Sequence, residues 1–353
     1  MNLNGKVIFL IPGFASDEGD QNCLPYLQDL MLLLKDKLGS DRMEIIAFQY
    51  PFQRSTYNWH GIQVHAMGGK NRKGISKLLT WIRVWTVLRN IQAKSTIGIL
   101  HAFWLSETAL IAQIFGFFHK VHSMVTIMGQ DPLKSNKYLR LLKLRKFTLI
   151  GVSNFVSEEL EKSSGHPADD VIPHVLKTEN FANLPESEPS YDILGVGNLY
   201  PLKNYNLFIE IVEILVRDFP ELKCGIAGSG AQHDDLLKLI SAKKLDKNIE
   251  LLGETQRSKV LAIMKNSTVF LHTSQYESQG FAMSEALYLG MKVVSTPVSD
   301  TESNDSIQCG KTPQELADCV RIALGNKTRE CVVFYPAEKA VGKYLSHYMT
   351  FSK

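Results

Sequence analysis

The chain has 353 residues, 44 % hydrophobic and 21 % charged, a balance that excludes a disordered polypeptide and at this length favours two cores over one. No apolar run reaches the roughly 18–20 residues of a bilayer span, the start does not read as a secretory signal, and five scattered cysteines lack any Cys-x-x-Cys pair. A reducing, cytoplasmic setting without disulfides or a zinc site is therefore expected. The net charge of +3 conceals an asymmetry: residues 1–150 hold 19 Lys and Arg against 9 Asp and Glu, a net of +10, and the remainder is net −7. Opposite signs suggest different partners for the two halves.

In chain order, strand-like apolar runs at 6–11, 43–50, 95–100, 123–128 and 147–152 alternate with helical patterns at 23–38, 74–91, 106–118 and 134–145. The second half repeats the rhythm. Strands are predicted at 191–197, 223–227, 249–252, 268–272 and 292–296, with helices ending near 219 and at 232–242, 258–265 and 282–289. Further helical patterns lie at 315–324 and 337–348. This is the alternation of parallel sheets wrapped by helices. Residues 177–190, with two prolines and three glutamates, read as a linker with little that can pack. The expected organisation is an α/β domain at 1–176, the linker, and a second α/β domain at 191–336, with a terminal helix at about 337–353 returning to the first. Two doubly wound domains in series place a ligand crevice at the carboxyl ends of their strands.

Four features of the second half point to chemistry only in combination. Lys203 follows a strand in Asn198-Leu199-Tyr200-Pro201-Leu202-Lys203-Asn204 and can reach an anion, although such lysines are more often solvated. Gly228 and Gly230 follow the next strand, where glycine allows close backbone approach or simply a turn. The run Thr273–Glu285 passes from a strand end into a helix and carries Glu277 and Glu285. There, the amides from Gly280 through Phe281 and Ala282 to Met283 offer helix donors to a diphosphate, and the carboxylates can accept bonds from sugar hydroxyls. Taken singly, Glu277 is a loop surface residue and Glu285 a dipole partner. Finally, a helix ending in Gly290 leads straight into a buried strand, which marks an α/β unit and no chemistry.

In order and spacing these features resemble the GT-B glycosyltransferases, specifically retaining family 4 of the glycosyl transferases group 1. The family's paired glutamates fall on Glu277 and Glu285, its glycine element on Gly228 and Gly230, and its lysine element on Gly197, Asn198, Lys203 and Asn204. The segment from Val171 to Phe181 resembles the family's entry into its second domain. The resemblance implies two Rossmann-like domains facing a central cleft. It implies a hexosyltransferase (EC 2.4) working with retention on a nucleoside-diphosphate sugar, with no metal or other cofactor. Lys203 and Glu277 would be catalytic, and Asn198, Gly228, Gly230, Gly280, Phe281, Ala282 and Glu285 would bind the donor. Glu285 would hold the ribose, Glu277 the sugar, and Lys203 the leaving diphosphate.

Two positions depart from the family. Asn198 replaces an arginine, and Met128 replaces a histidine that follows the fourth strand of the first domain. They leave open a non-catalytic partner of an active transferase, or a sugar-nucleotide epimerase, as alternatives. On the acceptor side, Gly13, Gly19, His101 and Gly129 are candidates, with turn glycines and a structural histidine as their plainer readings. A Gly-x-Ser-x-Gly elbow is absent, which disfavours a hydrolase. Basic segments around 70–89 and 134–146, interleaved with Leu, Ile and Trp, read either as solvated helix faces or as a surface for anionic lipid or an anionic or lipid-linked acceptor. No nucleic-acid motif accompanies them. The acceptor is then a glycan or lipid-linked alcohol, as in polysaccharide biosynthesis. The expected location is the cytoplasm, peripheral to the inner membrane face.

Overall fold

The computed structural model describes residues 4–186, 189–326 and 328–351. The expected first domain, the 177–190 linker, the 191–336 domain and the 337–353 helix each include residues outside that set. The chain divides into two compact units, one formed by residues up to Lys177 together with those from Tyr335 onward, the other by Thr178–Phe334.

In the first unit the order is β1 (Lys6–Gly13), α1 (Pro25–Leu38), β2 (Met43–Tyr50), β3 (Ser55–Trp59), β4 (Ile62–Ala66), α2 (Ile75–Lys94), β5 (Ile97–Phe103), α3 (Glu107–His119), β6 (His122–Ile127), β7 (Phe147–Gly151), α4 (Asn154–Ser164) and β8 (Asp170–Val171). The second unit continues with β9 (Ile193–Val196), α5 (Tyr205–Leu215), β10 (Cys224–Ala227), α6 (His233–Ala242), β11 (Ile249–Gly253), α7 (Arg257–Asn266), β12 (Val269–His272), α8 (Phe281–Tyr288), β13 (Lys292–Ser295), β14 (Ile307–Cys309) and α9 (Pro313–Gly325). Helix α10 (Ala337–Phe351) then rejoins the first unit, packing on α1 and β5.

The first sheet has the order β3-β4-β2-β1-β5-β6-β7-β8 and is parallel except for the β3–β4 hairpin. Its centre is β1, in which Val7, Ile8, Phe9, Leu10 and Ile11 are all buried, as a strand covered by helices on both faces requires. The second sheet, β11-β10-β9-β12-β13-β14, is parallel throughout. In each sheet the winding direction reverses once, between β1 and β5 in the first and between β9 and β12 in the second. Such a reversal opens a gap at the carboxyl ends of the two strands where loops diverge, and there an α/β unit accepts a ligand.

Three expectations need correction. The 134–145 segment is not an α-helix but two short 3-10 turns, Lys137–Arg140 and Leu144–Lys146. Side chains hold it instead: the Asn136 amide donates to the Leu105 and Asp131 carbonyls at 2.7 Å each, and the Gln113 carbonyl oxygen accepts the Lys143 N–H at 2.6 Å. Residues 177–186 are not a passive linker, because Phe181 is buried with its ring 4.6 Å from that of Tyr288, and Leu184 is buried too. The β3–β4 hairpin was not expected. Its two-residue turn, His60-Gly61, has positive φ at both positions (46° and 89°), the conformation that matches strand twist.

Candidate functional site

In the second unit, β9 ends at Val196, and beyond Gly197 a 3-10 turn, Pro201–Lys203, carries Lys203 back toward the sheet. The Thr273 hydroxyl donates to the Lys203 carbonyl at 3.0 Å, and the Gln275 N–H to the Leu202 carbonyl at 2.8 Å. These bonds lock the loop after β9 to the loop after β12, across the point where the sheet reverses. There the Lys203 ammonium pairs with Glu277 Oε1, which also accepts the Ser274 hydroxyl at 3.0 Å. His272, the last residue of β12, has Nε2 3.2 Å from the same oxygen, a polar contact without the alignment of a good hydrogen bond. Burial would raise the Glu277 pKa, but His272 and Lys203 outweigh it and bring it down to about 2. Burial, with Lys203 adding to it against Glu277, lowers the His272 pKa, so the ring is neutral at pH 7. Lys203 and Glu277 retain only 26 % and 14 % of their side-chain exposure. Neither is therefore the solvated surface residue that each would be if taken singly.

Gly228 and Gly230 have a backbone reason to be glycine. The loops after β9 and β10 are stacked, with Leu199 N–H on the Ser229 carbonyl at 2.9 Å and Gln232 N–H on the Leu199 carbonyl at 3.1 Å. A Cβ on Gly228 would lie 2.0 Å from the Gly197 carbonyl oxygen, and one on Gly230 2.5 Å from that of Leu199. Asn198 is exposed on the upper loop. Gly280, with φ +79°, caps α8 without a side-chain bond, and a Cβ there would meet Met283. Of the amides expected to face a ligand, that of Met283 already bonds the Gly280 carbonyl at 2.9 Å. Phe281 and Ala282 are half-buried at the start of α8.

Glu285 lies one turn into α8, buried, and accepts a bond from Arg257 Nε at 2.8 Å. Arg257 opens α7 just beyond β11, and its guanidinium stands 5.5 Å from the centre of the Phe281 ring. The loops after four consecutive strands, β11, β10, β9 and β12, thus supply Arg257, Gly228 and Gly230, Lys203, and Glu277.

In the first unit, a cavity of about 640 Å³ opens at the reversal between β1 and β5. Gly13 lines it, and Gly129 is next to Gln130 and Asp131, which do. Gly19 lies instead in an exposed turn, its N–H on Asp17 Oδ1 at 2.8 Å. His101 does not face the crevice, correcting its expected role. It is fully buried, with Nδ1 2.7 Å from the Tyr348 hydroxyl and Nε2 2.8 Å from that of Thr126, so it ties α10 to the sheet. Burial, helped by the charge of His347, brings its pKa down to about 3. Inside the cavity, Glu107 opens α3 and is buried. It accepts bonds from Gln49 and from Trp81 Nε1 at 2.9 Å and pairs with Lys77 at 2.8 Å. The Lys77 ammonium also bonds the Tyr138 hydroxyl at 2.7 Å. Trp104, with φ +67°, is a bulky residue in the left-handed region at the cavity wall, a conformation that the surroundings must enforce.

Residues 177–303 match the family model described as Glycosyl transferases group 1. This chain carries a glycosyl transferases group 1 domain. The matched segment contains Lys203, Gly228, Gly230, Arg257, Glu277 and Glu285. Similar curated proteins include the phosphatidylinositol N-acetylglucosaminyltransferase gpi3 subunit of Schizosaccharomyces pombe, 27 % identical over 60 % of this chain and 49 % of that one. The phosphatidylinositol N-acetylglucosaminyltransferase component matched in Arabidopsis thaliana is 25 % identical over 82 % and 66 %. The poly(ribitol-phosphate) alpha-N-acetylglucosaminyltransferase of Staphylococcus aureus is 30 % identical over 35 % and 25 %. The chain spans about half the length of the yeast relatives it matches. Among solved structures, Anabaena HepE in complex with UDP and glucose superimposes with a TM-score of 0.72 at 15 % identity, over 98 % of this chain and all of that one. The sucrose-phosphate synthase of Thermosynechococcus elongatus gives 0.72 at 15 %, over 98 % and 97 %. The fold is GT-B.

Within this group 1 domain, sequence reading missed Arg257, whose only signal was its place at a helix start just past a strand. In the first unit it missed Glu107, Gln49, Trp81 and Trp104, which the fold assembles from three separate segments. Met128, the departure in that unit, has its side chain in the core and its N–H on Asp131 Oδ1 at 3.2 Å.

Proposed function

We propose that the chain transfers a hexose-type sugar, with N-acetylglucosamine the first donor to test, from a uridine diphosphate sugar to a hydroxyl of a glycan or lipid-linked acceptor. The reading takes the reaction to proceed with retention and without metal, at the cytoplasmic face of a membrane. The observation that carries it is the Lys203–Glu277 pair at the strand reversal of the group 1 domain. The names of the similar curated transferases support the sugar.

The pair is a ready exchange site. An incoming diphosphate competes with Glu277 for the Lys203 ammonium, and the released carboxylate then accepts hydrogen bonds from the donor sugar's hydroxyls. In the resting pair its pKa is brought down to about 2, so Glu277 is ionised before the exchange and offers the sugar a pure acceptor. As the glycosidic bond to the diphosphate breaks, negative charge grows on the leaving oxygens, and a positioned cation lowers that barrier. Glu285, held by Arg257, is placed to hold the ribose hydroxyls. Asn198 and the amides of Phe281 and Ala282 complete the donor contacts. In the first unit the Lys77–Glu107 cavity is the acceptor site of this proposal, with Gly13 at its wall.

One observation favours the non-catalytic alternative. Both carboxylates already have cation partners, Lys203 and Arg257, and Asn198 brings no charge. Release of UDP from UDP-N-acetylglucosamine separates the two readings. A transferase shows slow release without acceptor, abolished in Lys203→Ala; a protein that binds and releases the intact sugar nucleotide contradicts the proposal.

A further inference from the structure

We infer that the first unit docks on an anionic lipid surface through the face formed by α2, α3 and the turns at 137–146. Helix α2 buries Thr80, Val84, Leu88 and Ile91 on one side. Its other side presents Ile75, Leu78, Leu79 and Ile82, exposed by 79, 54, 47 and 53 %. The spacing i, i+3, i+4, i+7 makes these one stripe, where a helix facing only water carries polar side chains. Helix α3 ends with Phe117 and Phe118, exposed by 79 and 67 %. The elements adjoin: the Trp85 ring of α2 lies 6.2 Å from Phe118, and the Lys77–Tyr138 bond and the Gln113–Lys143 bond attach the turns to α2 and α3. The exposed Leu141 falls in those turns, its carbonyl on the Gln113 amide at 3.3 Å.

Along the chain, the segment that carries this apolar patch is strongly basic. Residues 45–157 contain 15 Lys and Arg and only two acids, Glu107 and Asp131. Both acids are turned inward: Glu107 to Gln49, Trp81 and Lys77, and Asp131 to the backbone N–H groups of Leu105, Met128 and Gly129. Lys70, Arg72 and Lys73 stand exposed just before the apolar stripe. The turns border a cavity of about 700 Å³ lined by Lys134, Arg140, Lys143, Arg145, Lys146 and His166, with Ser163 and Ser164 and no carboxylate. Such a lining complements a phosphorylated headgroup in charge.

Nucleic acid would use the cations but leave the aliphatic stripe in water. An anionic bilayer uses both, with apolar side chains among the acyl chains and cations at the phosphates. Among the described residues no helix is long and apolar enough to cross a membrane. Lys77, on the helix that bears the stripe, also lines the 640 Å³ cavity. Docking by this face brings a lipid-linked acceptor beside that cavity, a consequence that rests on the proposed function. The docking itself does not.

The test is flotation of the full chain with vesicles of phosphatidylcholine alone and of phosphatidylcholine mixed with phosphatidylglycerol. The expected result is binding to the mixed vesicles that weakens with salt. The double variant Arg72→Glu/Lys73→Glu should lose about fivefold or more per residue, and Ile75→Ser/Leu79→Ser about tenfold per residue. These side chains are exposed, so melting temperatures should stay unchanged and a folding defect is separable. Failure to float with either vesicle, or unchanged binding by both variants, overturns the inference. Retention on an acidic polypeptide without flotation also overturns it, by placing a protein on this face. Stabilisation by UDP-N-acetylglucosamine, read on the same samples, distinguishes failure here from failure of the proposed function.

Discussion

The two units share a plan, a parallel sheet with one reversal and polar side chains gathered at it, yet they use charge in opposite ways. In the second unit cations and carboxylates meet across loops and neutralise one another, Lys203 with Glu277 and Arg257 with Glu285. In the first unit one such pair, Lys77 with Glu107, lies in the cavity, and cations such as Arg72 and Lys73 stand exposed beside apolar side chains. The difference separates two tasks within one architecture. Paired, buried charges can be exchanged for a small anionic ligand, whereas exposed cations grouped without acids suit a broad anionic surface.

The comparison breaks first at Lys203. Lys203→Ala should lower turnover by roughly 10²–10³-fold, the scale of removing one stabilising group from a developing anion. It also strands Glu277, so stability should fall as well, by about 3 kcal/mol. Steady-state kinetics and chemical denaturation read the two effects. A variant that kept full turnover would remove Lys203 from the site.

Next in size, Glu285→Ala should destabilise by about 3–5 kcal/mol, because it leaves the Arg257 guanidinium buried without its partner. The double variant Glu285→Ala/Arg257→Ala should recover part of that loss. Strict additivity in the denaturation cycle would show that the pair is uncoupled.

Acid sharpens the contrast. The folded-state pKa of Glu277 lies below its unfolded value, so its stabilisation is present above pH about 4.5 and is lost as pH falls toward about 2. The full contribution is about 3 kcal/mol. Glu277→Gln should flatten the stability profile of the second unit in that window, and an unchanged profile would contradict the assigned environment. In the first unit the buried neutral His101 acts earlier. Its stabilising difference is complete above pH about 6.5 and declines as pH falls toward about 3, because the unfolded ring takes up a proton that the folded one refuses.

The smallest expected effect concerns activity at that same residue. His101→Asn should leave UDP-sugar turnover within about twofold, and cost about 1–2 kcal/mol through the hydrogen bonds to Tyr348 and Thr126. A large fall in turnover at unchanged stability would return His101 to the acceptor site.

The fold was legible where burial is continuous. Runs such as Val7–Ile11 and Val293-Val294 can only be central strands, and Thr312-Pro313 marks α9, where Thr312 and Glu315 form a capping box. It was illegible where polar residues alternate, as in β3 and β4, or where side-chain bonds replace a helix, as in 134–146. Glu277 and Glu285 stood out because their order and spacing at a strand-to-helix junction resemble the paired glutamates of the glycosyl transferases group 1. Arg257, Glu107 and Gln49 did not, since each gains its partner only when distant segments meet. Lys203 was visible as a lysine past a strand, but its near burial against Glu277 follows from the Thr273 and Gln275 bonds that close the loop over it.

The most direct test is calorimetric titration of UDP and UDP-N-acetylglucosamine into the native chain, Lys203→Ala and Glu277→Gln. The exchange account predicts that Lys203→Ala weakens both ligands together. It predicts that Glu277→Gln binds UDP at least as well as the native chain but loses the preference for the sugar-bearing form. Native-like binding of both ligands by both variants would contradict it.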